Sequence, residues 1–98
     1  VGGTGAHPLS GMGSGFRRIK FNEPVLVDLV HAHRGYIVDM TRMFVAGTLS
    51  EQWHQRLEDM LAVKDTVVDV LDRGDTCEDA WNEAYGLAVE LGYQDHLM

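Results

Sequence analysis

The sequence has 98 residues, of which 45% are hydrophobic and 23% charged, the size and balance of one small globular domain rather than a disordered chain. A single cysteine, Cys77, excludes an intramolecular disulfide framework, and no apolar run approaches the roughly 20 residues of a membrane-spanning helix. The formal charge of −7 is uneven: residues 1–49 hold five Lys/Arg and three acids, and residues 50–98 hold three Lys/Arg and twelve acids. The acidic half lacks the basic face that binding to nucleic acid requires, and its acids fall at helix-surface spacings expected of a solvated face. No signal or transit segment is recognisable, which points to the cytoplasm. The chain starts at Val1 and stops at Met98 just after a helical pattern; both ends read as cut, so a segment of a larger protein is expected.

Residues 1–15 contain six glycines and Pro8, a composition for a loop and not a helix. They lack the Gly-Lys-Ser/Thr signature of a phosphate-binding loop. Residues 25–30, Val-Leu-Val-Asp-Leu-Val after Pro24, form a short β-branched run expected to be a buried strand. Residues 36–46 predict a second strand ended by Gly47, and the intervening segment with Gly35 predicts a hairpin. Ser50 and Glu51 start a helix over 50–73, with Trp53, Leu57, Met60, Leu61, Val67, Val68 and Leu71 on its apolar face and Gly74 at its end. Thr76 caps a second helix over 76–92, with Asp79 in the capping-box position. Ala80, Trp81, Ala84, Tyr85, Ala88 and Leu91 make its apolar face, and Gly92 stops it. The Trp and Met residues at these spacings are expected in the core.

Asp28 is the chemically informative residue of the first half. A lone carboxylate in a buried apolar strand has to find a partner, protonate or bind a cation. If residues 32–35 form the loop, His31 faces Tyr36 and Asp28 faces Asp39, with Cβ atoms about 4.5–5.5 Å apart. A shared divalent cation relieves the repulsion between them. The alternative is one Asp at a solvated sheet edge and the other paired with Arg34 or Arg42. His31 and His33 form a rival metal pair of H-x-H spacing, although this register places His33 in the loop. His7, His54 and His96 read as ordinary polar histidines, and Cys77 as a half-exposed packing thiol.

Glu23-Pro24-Val25-Leu26-Val27-Asp28-Leu29-Val30, followed by Gly35-Tyr36-Ile37-Val38-Asp39-Met40-Thr41-Arg42-Met43-Phe44-Val45-Ala46-Gly47, resembles the pita-bread metallopeptidases. Within that family it is most similar to the Xaa-Pro aminopeptidases and Xaa-Pro dipeptidases (prolidases), which share two Asp eleven residues apart and the Asp-x-Thr-Arg-x-Phe wording. The resemblance covers about residues 15–98. It implies an α+β fold: an antiparallel β-hairpin or small sheet packed by two helices, the first half of a pita-bread (creatinase/aminopeptidase-like) domain. Residues 1–98 would then be one partial catalytic domain, with a glycine-rich loop at 1–20, a hairpin at 21–47 and helices at 50–73 and 76–92. It implies that Asp28 and Asp39 are metal ligands, Asp39 bridging two ions, and that Thr41 orients a carboxylate from just outside the ligand set. The implied cofactor is a divalent pair of Mn, Co or Zn, and the implied substrate a proline-containing peptide cleaved by metal-activated water. The family's His and two Glu ligands come from later motifs absent here, so no further catalytic residue is assigned and the isolated chain is expected to be inactive and at most a weak metal binder. Val30 stands where the family usually has Gly, and Met43 where it commonly has Thr. Other readings are a non-catalytic homologue acting as a binding module, a methionine aminopeptidase or creatinase-like hydrolase of the same fold, and a small acidic helical interaction module. A half-domain is also expected to expose apolar surface and to self-associate, as in a symmetric dimer.

Overall fold

A computed structural model of the chain describes residues 16–97. The glycine-rich segment 1–15, with His7 and Pro8, lies outside the described residues. The chain divides into two compact units, Val1–Trp53 and His54–Met98. The elements in order are β1 (Pro24–His33), β2 (Tyr36–Val45), α1 (Glu51–Asp72) and α2 (Cys77–Glu90). This is the expected α+β class: a two-stranded antiparallel sheet and two helices.

The hairpin turns on two residues only. Arg34 and Gly35 have φ of 51° and 87°, both positive, as a tight turn matched to the right-handed strand twist requires. The register follows from that turn: His33 pairs with Tyr36, Val30 with Asp39, and Asp28 with Thr41. The expected four-residue loop is therefore corrected, and with it the direct opposition of Asp28 and Asp39. His33 is the last residue of β1, not a loop residue. The error is a two-residue shift, which preserves the side-chain alternation. Asp28 and Asp39 thus stay on one face as diagonal neighbours.

The base of the hairpin is clasped by Asn22, itself at φ 63°. Its amide donates to the Ala46 carbonyl at 2.9 Å, and its side-chain oxygen accepts from the Thr48 amide at 2.9 Å. A Cβ on Gly47 would collide with that side-chain oxygen. Beside the clasp, Arg17 donates to both carboxylate oxygens of Glu23, at 3.2 and 3.1 Å, and the Lys20 amide donates to one of them at 2.7 Å. The Arg17 hydrogen bonds, then the Lys20 amide, hold the Glu23 carboxyl below the usual carboxylate range.

The strands are not the buried runs that their composition suggests. Only Pro24 is buried, and Leu29, Val30, Ile37 and Val38 are all exposed. A two-stranded ribbon has no second layer of its own to cover either face.

The helical unit contains its own small core. Val63 of α1 and Ala84 and Ala88 of α2 are buried together, with Met60, Val67, Leu87, Tyr93 and Leu97 around them. Val70 and Ala80 are also buried. The periodic apolar stripe placed Trp53 and Trp81 in the core; they are instead 39% and 48% exposed. Alanine at positions 80, 84 and 88 offers the small surface, while the bulkier Trp81 and Tyr85 stack on each other outside it, with ring centroids 5.8 Å apart.

Both helices end as their glycines predict. Gly74 and Gly92 have φ of 86° and 82°. The bonds Asp75 N to Val70 O and Gly74 N to Leu71 O close α1, and Tyr93 N to Ala88 O and Gly92 N to Val89 O close α2, the Schellman arrangement at each end. The second of these places Tyr93 against the core, where its hydroxyl donates to Asp59 Oδ2 at 2.8 Å. That bond, together with partial desolvation, raises the Tyr93 phenol pKa. At the start of α2 the capping box is complete: the Asp79 amide donates to Thr76 Oγ1, and the Thr76 amide donates to Asp79 Oδ2.

Candidate metal centre

One face of the hairpin carries Leu26, Asp28, Val30 and Ala32 from β1 and Ile37, Asp39, Thr41 and Met43 from β2. Asp28 and Asp39 are its two acids. Diagonal neighbours of this kind lie about 7–8 Å apart, farther than a directly opposed pair. The wider spacing lowers the mutual repulsion.

Thr41 occupies the position opposite Asp28, and its hydroxyl donates to Asp28 Oδ1 at 2.8 Å. The hydroxyl orients one carboxylate oxygen and leaves the other open. Sequence spacing alone placed Asp39, not Thr41, at that position; the two-residue turn is what brings the hydroxyl there. Neither Asp28 nor Asp39 forms an ion pair among the described residues. Arg42, considered as such a partner, points its guanidinium at the Thr41 carbonyl, 2.8 Å away, and its own side chain belongs to the opposite face.

Asp28 is exposed, so the cost of burial, which first singled it out, does not apply to it here. What remains is the donor set: two carboxylates on one face, one of them oriented by a hydroxyl. Oxygen donors of this type fit a hard divalent ion. Among the described residues no group of three or more His, Cys, Asp or Glu side chains is positioned to hold a metal, so the fit is that of a partial ligand set.

The remaining candidates fall elsewhere. His31 and His33 lie together on the opposite face, facing Val38 and Tyr36. Cys77 opens α2 and is exposed. No helix among the described residues is long and apolar enough to cross a membrane.

A family model described as metallopeptidase family M24 matches residues 2–98. No curated protein and no solved structure gives a match.

Proposed function

Since the chain belongs to metallopeptidase family M24, we propose that Asp28 and Asp39 are two of the metal-holding carboxylates of an exopeptidase that hydrolyses Xaa-Pro peptide bonds. The observation that carries this reading is the shared face of Asp28 and Asp39 with the Thr41 hydroxyl on Asp28. The run Asp39-Met40-Thr41-Arg42-Met43-Phe44 supports the proline-specific branch over the methionine aminopeptidase and creatinase-like alternatives.

When bound, a divalent ion supplies Lewis-acid polarisation of the scissile carbonyl and a water nucleophile at neutral pH. The chain's own residues do the holding. Asp28 and Asp39 provide negative charge and oxygen donors, and the Thr41 hydroxyl holds the Asp28 carboxylate in one orientation. Mn, Co and Zn are the proposed metals, with Mn best suited to an all-oxygen pair. The proposed substrate is a proline-containing peptide.

Two carboxylates do not define a dinuclear centre, so the 98 residues alone are proposed to bind Mn²⁺ weakly and not to turn over. The test has two parts. Thermal unfolding with and without Mn²⁺ should show a small stabilisation that Asp28→Asn removes; an equal shift in that variant contradicts the ligand role. Assay of the chain against an Xaa-Pro dipeptide with Mn²⁺ should show no hydrolysis; robust turnover contradicts the partial-site reading.

A further inference from the structure

The hairpin has a second chemically distinct face, and the proposed peptidase site does not use it. That face carries Val25, Val27, Leu29, His31 and His33 from β1 and Tyr36, Val38, Met40, Arg42 and Phe44 from β2. We propose that His31 and His33 form a two-imidazole chelate for a transition ion of the Cu²⁺, Ni²⁺ or Zn²⁺ class, independent of Asp28 and Asp39.

The placement rests on the turn. Because Arg34 and Gly35 alone reverse the chain, His33 remains in β1 and pairs with Tyr36, while His31 pairs with Val38. Residues two apart on a strand share a face, with Cβ atoms roughly 6.7 Å apart along it. Their side chains stand off the sheet side by side, and two imidazoles so spaced can turn their nitrogens towards a common point. Both residues are exposed, so an ion needs no opening of the fold to reach them. A four-residue loop would have left His33 without a defined face and the pair without a geometry.

The chemistry of the face selects the ion. Around the pair stand Leu29, Tyr36, Val38 and Met40, and the face has no carboxylate in its paired stretch. Its one charged group is Arg42, opposite Val27 and two pairs beyond Leu29. The donors are therefore imidazole nitrogens, which suit Cu, Ni and Zn, whereas the carboxylate face suits hard ions. No third His, Cys, Asp or Glu among the described residues completes a group with them, so the remaining coordination positions go to solvent. The site is one for ion capture, with ligand chemistry that separates it from the opposite face of the same two strands.

The probe is Cu²⁺ alone, titrated into the chain, with electron paramagnetic resonance counting the coordinated nitrogens. The expected result is a one-to-one complex with two imidazole nitrogens. His31→Ala and His33→Ala should each lose one nitrogen and roughly a hundredfold in affinity, the advantage of the second tethered ligand. Asp28→Asn with Asp39→Asn should leave both readouts unchanged, which separates this site from the peptidase reading. The decisive variant combines Ala32→His with His33→Ala in the Asp28→Asn, Asp39→Asn background: it keeps the number of histidines but puts the second ring on the other face, cleared of its carboxylates. It should bind as weakly as His33→Ala alone, with circular dichroism confirming that the fold is kept. Parent-like affinity in that variant, or in either single alanine variant, overturns the proposal.

Discussion

The hairpin and the helical pair use apolar residues in opposite ways. In the helical unit small residues are buried and large ones lie at the margin: Ala80, Ala84 and Ala88 are buried while Trp81 and Tyr85 are exposed. In the hairpin the large β-branched residues that look most like core, such as Val30 and Ile37, are among the exposed. The hairpin relies on its ladder, a two-residue turn and the Asn22 clasp, and it carries both candidate metal pairs. The helical pair relies on its caps and a small core and carries no such pair. The buried apolar core and the candidate chemistry thus lie in different stretches of the chain, and an apolar run alone does not tell which of the two it serves.

That separation can be broken at the core of the helical unit, where the largest effect is expected. Ala88→Leu forces extra methylenes into a fully buried site and should cost about 1–3 kcal/mol. Chemical denaturation followed by helical circular dichroism would measure it, and Cu²⁺ binding at His31 and His33 should be unaffected. A coupled loss of ion binding would show that the units are not energetically separate.

The matching experiment in the hairpin is Gly35→Val. A β-branched residue at φ 87° is strained by about 1–2 kcal/mol, and the strain falls on the turn that sets the register. Cross-strand nuclear Overhauser contacts between Asp28 and Thr41 should weaken while the helical signals persist. Intact contacts would mean that the ladder, and not the turn, holds the register.

Thr41→Val sharpens the division between holding an ion and holding the fold. It removes the hydroxyl that donates to Asp28 and keeps a β-branched strand residue. Mn²⁺ affinity should fall roughly tenfold or more with the unfolding midpoint in the absence of metal nearly unchanged. An unchanged affinity would reduce Thr41 to a ladder residue.

The smallest effect belongs to the cap of α2. Thr76→Ala removes the acceptor for the Asp79 amide and should cost about 1 kcal/mol. Hydrogen bonds from the Thr76 side chain, then its backbone, hold the Asp79 carboxyl below the usual range. A carboxyl lowered on folding stabilises above its unfolded value, about 3.9. That contribution is lost as pH falls through the lower folded value. Helicity should therefore drop in acid with a component that Asp79→Asn lacks; identical acid titrations would remove the cap from the account.

Much of this was legible in the residues because it depends on neighbours in sequence. Gly74 and Gly92 marked helix ends because only glycine accepts positive φ there cheaply. Thr76 and Asp79 announced their box through a three-residue spacing. The candidate site was legible in part. That Asp28 and Asp39 share a face survives any register shift of two, so the wrong loop length still led to the right face. The partner of Asp28 was not legible, because it depends on whether the chain reverses over two residues or four, and Arg34 is not a residue that advertises positive φ. The exposure of Trp81 was hidden for a different reason: periodicity identifies the apolar side of a helix, but not how much of it a neighbour covers.

Sequence alone therefore determined the element order, the helix caps and the common face of the two aspartates, all matters of local conformation and of the period of two along a strand. Tertiary structure decided that Asp28 meets Thr41, that His33 joins His31 on the other face, and that alanines rather than tryptophans form the core. Register is set where the two strands meet, and burial by what lies opposite, and neither is a property of any one stretch of chain.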